Sequence, residues 1–207
     1  MTKRIHSREE VEDMLKSNTD IDFSGYVFAL EIDLSGLDLR GLKFIDANLK
    51  KANFSGAELS GADFTDAIMT EADFRDADMT ECIFTNATLT DAIFTGKKTN
   101  LTRARLVKAR LHGADMQETT MEETKLAEAE FHQAKLQGAN LHRAELFDMA
   151  HGLASFEGAQ LNHATLTNLK DIETKNEDDS LFAGALGLSE ANMDDTLRKV
   201  LSELKTI

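Results

Sequence analysis

The residues of this chain that could carry chemistry are two spaced histidines, one cysteine, many carboxylates and a short run of bases. His112 and His132 lie 20 residues apart. Two imidazoles make half of a tetrahedral zinc site, and no third ligand shares their spacing, so no metal is expected. Cys82 stands alone, which excludes an intramolecular disulfide and any cysteine-rich zinc site. It is read as a buried, inert thiol. Asp63, Asp73, Asp78 and Asp115 each precede a large apolar residue. Paired carboxylates can do acid–base work, but recurrence at fixed spacing points to hydrogen bonding at chain corners. The chain has no GxxxxGK[ST], HExxH or GxSxG. No enzymatic activity and no cofactor are expected.

Charge narrows the function classes further. The net charge is −14, which argues against binding a phosphate backbone, so direct nucleic-acid contact is not expected. The imbalance is uneven: residues 21–94 hold 14 acids and 5 bases, while residues 95–170 hold 9 acids and 10 bases. Lys97, Lys98, Arg103 and Arg105 open that second half and form a candidate partner-binding patch. No stretch of about 18 apolar residues exists, so no membrane span is expected. The start, MTKRIHSREEVEDML, has no apolar stretch after its bases, and no cleaved signal peptide is expected. Together with the lone cysteine this predicts a cytoplasmic protein. The alternative is export into a host cell without a cleaved signal.

The element that must position these side chains is a repeat. From Leu34 to Phe94 every fifth residue is Leu, Phe or Met. The run resumes two residues out of phase at Leu101, continues to Leu146, and returns at Phe156, Leu161 and Leu166 after a break at His151. Two residues before the central residue, over 47–92 and 104–164, lies a small residue, Ala at 19 of 23 such positions; Cys82, Thr119, Thr124 and Met149 are the exceptions. Five steps scatter around an α-helix and alternate faces on a straight strand. The pattern works if the chain turns a corner every five residues. Phe44, Phe54, Phe64, Phe74, Phe84 and Phe94 recur every ten residues, so four sides per coil place Phe on two opposing walls. This predicts an all-β fold, a column of about seven four-sided coils over residues 21–169. On the outside, two positions after each central residue of the Phe44 wall, lie Asp46, Asp66, Asn86, Lys108, Glu128 and Asp148. Four carboxylates on one wall are either a solubilising face or an imitation of DNA phosphates.

The segments ANF (52–54), ADF (62–64 and 72–74), ADM (114–116) and ANL (139–141) resemble the motif of the pentapeptide-repeat family. The resemblance implies a right-handed quadrilateral parallel β-helix. It also implies a non-enzymatic protein whose partner is another protein. Some members act on DNA gyrase as DNA mimics, inhibiting it or protecting it from quinolones, and others are secreted bacterial effectors.

Both ends of such a column need caps. Residues 1–20 are expected to form a helical cap, with Ser7 and Glu10 as a capping box and Val11, Met14 and Leu15 as the buried face. Residues 170–207 comprise a polar connector, ETKNEDDS (173–180), an apolar stretch over 181–188, and an amphipathic helix over 189–204. Met193, Leu197, Val200, Leu201 and Leu204 share one face of that helix. That face either caps its own chain or forms a homodimer contact; gyrase-inhibiting family members dimerise through their C-terminal ends. The extra residues in TGKKTN (95–100) are expected to bulge at one corner.

Overall fold

The computed structural model describes residues 3–17, 21–148, 155–167 and 185–203. Its repeating unit is a one-residue parallel bridge to the residue 20 positions on: Asp33 to Asn53, Asp38 to Glu58, Lys43 to Asp63 and Asn48 to Ile68. Four bridges set five residues apart close each coil. The chain is a four-sided parallel β-helix, and its walls are named here after Phe44, Leu49, Phe54 and Leu59.

The side running from Phe64 to Ile68 accounts for all five of its backbone N–H groups. Phe64 donates to Ile83 O at 2.7 Å and Asp66 to Thr85 O at 2.9 Å, both in the following coil. Ile68 donates back to Ala47 O at 2.9 Å, and Ala67 closes the turn onto Phe64 O at 3.0 Å. The remaining N–H, that of Thr65, is taken by the Asp63 carboxylate at 3.0 Å. The corner itself has a left-handed residue, as at Asp66 (φ 59°), Lys108 (φ 59°) and Glu128 (φ 57°). That conformation costs an ordinary L-residue roughly 1 kcal/mol, which the rung and turn bonds offset. Glycine takes the same place at Gly56 and Gly61.

The bore is filled by the large and small inward residues, nearly all without solvent exposure. Phe44 and Phe64 stack at 4.8 Å, and Phe54 and Phe74 at 5.0 Å. Between the two opposing walls the rings meet edge to face, as Phe54 does with Phe64 at 5.8 Å. Offset stacks and T-shaped contacts are the two favourable ring arrangements, and the ten-residue Phe spacing uses both. Buried Thr119 and Thr124 donate their hydroxyls to Phe94 O and Met121 O, both at 2.9 Å. Cys82 donates its thiol to Leu59 O at 2.9 Å, and burial pushes that thiol well above its ordinary range.

The two extra residues near position 97 lengthen the bridge interval from 20 to 22, as between Asp78 and Asn100. By the rung pattern the Asp76 N–H would donate to Thr95 O. Instead the Thr99 hydroxyl stands between them, accepting from Asp76 N at 2.8 Å and donating to Thr95 O at 2.9 Å. A side chain thus completes a broken backbone rung. Gly96 passes so close that a Cβ there would lie 2.9 Å from Asp76 N, at φ +122°.

At the N-terminal end, strand β1 (Arg4–Ile5) pairs in parallel with β2 (Val27–Phe28). Helix α1 (Arg8–Ser17) follows and buries Val11, with Met14 and Leu15 against the same core. Ser7 Oγ accepts from Glu10 N–H at 3.3 Å, while the Glu10 carboxylate reaches His6 N–H at 2.9 Å rather than Ser7 N–H. Over the described residues 3–17 the cap is therefore a strand plus a helix, and the strand extends the Leu49 wall.

At the other end, β3 (Glu145–Phe147), β4 (Thr165–Thr167) and β5 (Asn192–Met193) form a parallel ladder that continues the Phe44 wall, with Leu166 beside Met193. Leu186 bridges Gln160 on the Leu59 wall. After a single 3₁₀ turn at Leu188–Glu190 and β5, helix α2 runs over Asp195–Glu203, with Asp194 capping Leu197 N–H at 2.8 Å. The helix starts six residues later than expected. Ala191, Asn192 and Met193 alternate buried, exposed, buried, the period of a strand. The connector 173–180, residues 181–184 and the break at His151 lie outside the described residues. No helix among the described residues is long and apolar enough to cross a membrane.

Candidate protein-binding surfaces

With the interior filled and the backbone spent on rungs, what remains for function is the array of outward side chains. Among the described residues no group of three or more His, Cys, Asp or Glu is placed to hold a metal. The two spaced histidines do meet: the His112 and His132 rings lie 4.9 Å apart on the Leu49 wall, and His112 Nε2 is 2.8 Å from Glu130 Oε2. They belong to a surface network.

The four-carboxylate row is a single structural column. Asp46, Asp66, Glu128 and Asp148 all occupy the left-handed corner between the Phe44 and Leu49 walls, with Asn86 and Lys108 between them. Lys108 Nζ lies 3.6 Å from Glu128 Oε2, so the row carries a cation in its middle. Its Asp46–Asp66 end has no such cation.

The run of bases is divided among three faces. Lys97 and Lys98 are exposed on the inserted loop at the end of the Phe54 wall. Arg103 stands on the corner after the Leu59 wall, 3.6 Å from Glu81 and 3.0 Å from Glu123, and Glu123 in turn is 3.7 Å from Arg143. This alternating ladder neutralises Arg103. Hydrogen bonding and attraction from Arg103 hold the Glu123 carboxyl below its usual range. Arg105 lies on the Phe44 wall, exposed, with Lys125 one coil further on. Residues adjacent in sequence diverge here because every five residues the chain faces a new direction.

The face expected to meet a second copy is partly consumed within one chain. Met193 is 6% exposed and Leu197 1%. Met193 is buried because β5 sets it on the end of the Phe44 wall stack. Val200 and Leu201 lie in α2, and Leu204 falls outside the described residues.

The regular Asp residues, Asp63, Asp73, Asp78 and Asp115 among them, act as corner hydrogen-bonders. Asp22, Asp33, Asp38 and Asp73 accept the N–H two residues on, at 2.8, 2.9, 3.3 and 3.0 Å. Asn53, Asn100 and Asn140 do the same. The side chains of Ser24, Ser35 and Arg40, with the N–H groups, hold Asp22, Asp33 and Asp38 below the usual carboxylate range. At Asp73 partial burial pulls upward, but Arg75 outweighs it and the net shift is down.

Two features escaped the reading of the sequence. Ile68 and Phe147 are 38% and 37% exposed, and a shallow groove follows the corner between the Phe44 and Leu49 walls. The signal was present: on the Phe44 wall the outward position after the central residue holds Val107, Ala127 and Phe147 in successive coils.

The geometry of one coil per four five-residue sides has its counterpart in a family model. The pentapeptide-repeat model matches in eight copies over residues 32–70, 57–96, 97–126 and 118–148. The chain belongs to the pentapeptide repeat family. Among solved pentapeptide repeat structures, a trypsin-treated variant of QnrB1, a plasmid-mediated fluoroquinolone resistance protein, superposes with a TM-score of 0.72. It is 23% identical, over 88% of this chain and 86% of that one. Full-length QnrB1 gives a TM-score of 0.66 at 21% identity, covering 100% and 96%. These likenesses establish a shared pentapeptide repeat β-helix. Among curated protein sequences, none matches the chain.

Proposed function

We propose that this chain is a non-enzymatic interaction protein, a preformed column that binds a protein partner through its outward side-chain columns. One observation carries this reading: among the described residues, the inward side chains fill the bore and are nearly all buried, so ligand contact falls to the walls. Side chains there stand at fixed spacing, about 4.8 Å from coil to coil. Little ordering is needed on binding, which favours affinity. A cytoplasmic location is part of this proposal.

A second reading is a DNA mimic directed at DNA gyrase. It is favoured by the corner column of Asp46, Asp66, Glu128 and Asp148 and by the fold shared with a fluoroquinolone resistance protein. Lys108 within that column counts against it.

Affinity capture with three forms of the chain decides between them. The forms are wild type, a base variant (Lys97→Glu, Lys98→Glu, Arg105→Glu) and an acid variant (Asp46→Asn, Asp66→Asn, Glu128→Gln, Asp148→Asn). A partner lost from the base variant alone supports the adaptor. Capture of gyrase lost from the acid variant, with dose-dependent inhibition of supercoiling or protection from a quinolone, supports the mimic. Equal capture by all three forms overturns both surfaces.

A further inference from the structure

The groove between the Phe44 and Leu49 walls has two banks. One is the corner column Asp66, Asn86, Lys108, Glu128 and Asp148; the other is the bridge column Ile68, Thr88, Arg110 and Glu130. Both banks change sign at the same step: Lys108 and Arg110 share one coil, and Glu128 and Glu130 share the next. This pattern is complementary to itself. A two-fold axis laid across the groove between those coils runs a second column antiparallel to the first. Lys108 and Arg110 of each copy then face Glu128 and Glu130 of the other. The same operation sets the Asn86 coil against the Asp148 coil. On the adjoining strip of the Phe44 wall it brings exposed Phe147 to the coil of Ile83 and Thr85. A parallel arrangement would instead swap the banks and set Lys108 against Arg110 and Glu128 against Glu130, like charge against like.

We propose that this groove is a self-association surface whose occupant is a second copy of the chain, side by side and antiparallel. The two bases are available for it, whereas Glu130 also meets His112 of its own chain at 2.8 Å. Lys108 and Glu128 are 53% and 48% exposed and meet at 3.6 Å, a geometry worth little in water. Arg110 is exposed and, among the described residues, forms no ion pair within the chain. In the pair Lys108 lies between its own chain's Glu128 and that of the other copy, and Arg110 gains the other copy's Glu130. Opposite charges across an interface fix register and exclude the wrong alignment. A strip of five coils, about 20 Å long and roughly 15 Å wide, is well below the ~800 Å² per partner of a standard interface. The association is therefore weak and concentration-dependent. This surface avoids Lys97, Lys98 and Arg105 but shares Asp66, Glu128 and Asp148 with the acidic column of the second reading, and it is not the C-terminal helix.

Sedimentation equilibrium of the full chain tests it, from about 10 µM to 1 mM at about 0.15 M salt, where the Debye length is ~8 Å and repulsion between net charges is screened. Wild type is expected to show a monomer–dimer equilibrium. A Lys108→Glu/Arg110→Glu chain and a Glu128→Lys/Glu130→Lys chain, each alone, are expected to remain monomeric with wild-type circular dichroism. Mixed one to one, they are expected to dimerise again. The same four reversals made in one chain keep the complementarity and are expected to dimerise as wild type does, which excludes general attraction between oppositely altered chains. A wild type that stays monomeric throughout overturns the proposal. So does either charge variant dimerising like wild type, an outcome that moves the contact elsewhere.

Discussion

At the scale of single residues the most consequential atom is one hydroxyl. Thr99 is 2% exposed and accepts from Asp76 N–H while donating to Thr95 C=O. Thr99→Val keeps the shape and removes both bonds. Leaving two partly buried backbone groups without their partner is expected to cost about 1–2 kcal/mol. Thermal denaturation should show a melting temperature lower by several degrees for Thr99→Val, with Thr99→Ser close to wild type. A Thr99→Val chain as stable as wild type would remove the bridge from the account. Nothing in the sequence marks this threonine. TGKKTN reads as polar turn chemistry, and the hydroxyl acquires its role only because the coil beneath presents an orphaned N–H. Cys82, by contrast, was legible, since it replaces Ala in a column of inward small residues.

At the scale of the element, many five-residue sides carry before the central residue an Asp or Asn that accepts a backbone N–H. Asp22, Asp33, Asp38 and Asp73 are held below their ordinary values. A carboxylate depressed on folding contributes stability that is fully present above its unfolded value, near pH 4. That stability is lost as pH falls through the folded values. Thermal melts should therefore be insensitive to these groups between about pH 7 and pH 5 and fall steeply below about pH 4. Replacing all four by Asn keeps the accepting oxygen, as Asn53 and Asn100 already do. That variant should fold normally and lose part of the acid sensitivity; an unchanged acid profile would show that these carboxylates are not its source. The side was the most legible element in the sequence, because a five-residue period admits few geometries and Phe at every tenth residue selects four walls. The ends were less so. Residues 189–193 match a helical apolar period and a strand alternation equally well over so few residues, and the edge of the last coil decides for strand. Arg4 and Ile5 form a strand because the first coil offers them unpaired groups, which composition does not reveal.

At the scale of the whole molecule, the candidate surfaces follow from the coil rather than from proximity in sequence. Lys97, Lys98, Arg103 and Arg105 form one basic cluster on paper and stand on three faces in the fold, because a corner separates each group from the next. Asp66 and Glu128, far apart in sequence, share one groove. The unbroken 20-residue bridge interval between Asp33 and Ile93 makes this region divisible into interchangeable units. Deleting residues 57–76 should set Phe84 on Phe44 and Phe94 on Phe54, with every outward column still aligned. The shortened chain should keep a cooperative melt, and X-ray scattering should show a column shorter by about 4.8 Å. Deleting only 57–61 sets Phe against Leu or Met on every wall at the junction and should lower the melting temperature sharply; equal stability of the two deletions would disprove registered stacking. A molecule built this way is a ruler with one graduation per coil: lineages that gain or lose whole coils change the distance between whatever its two ends hold, in fixed steps.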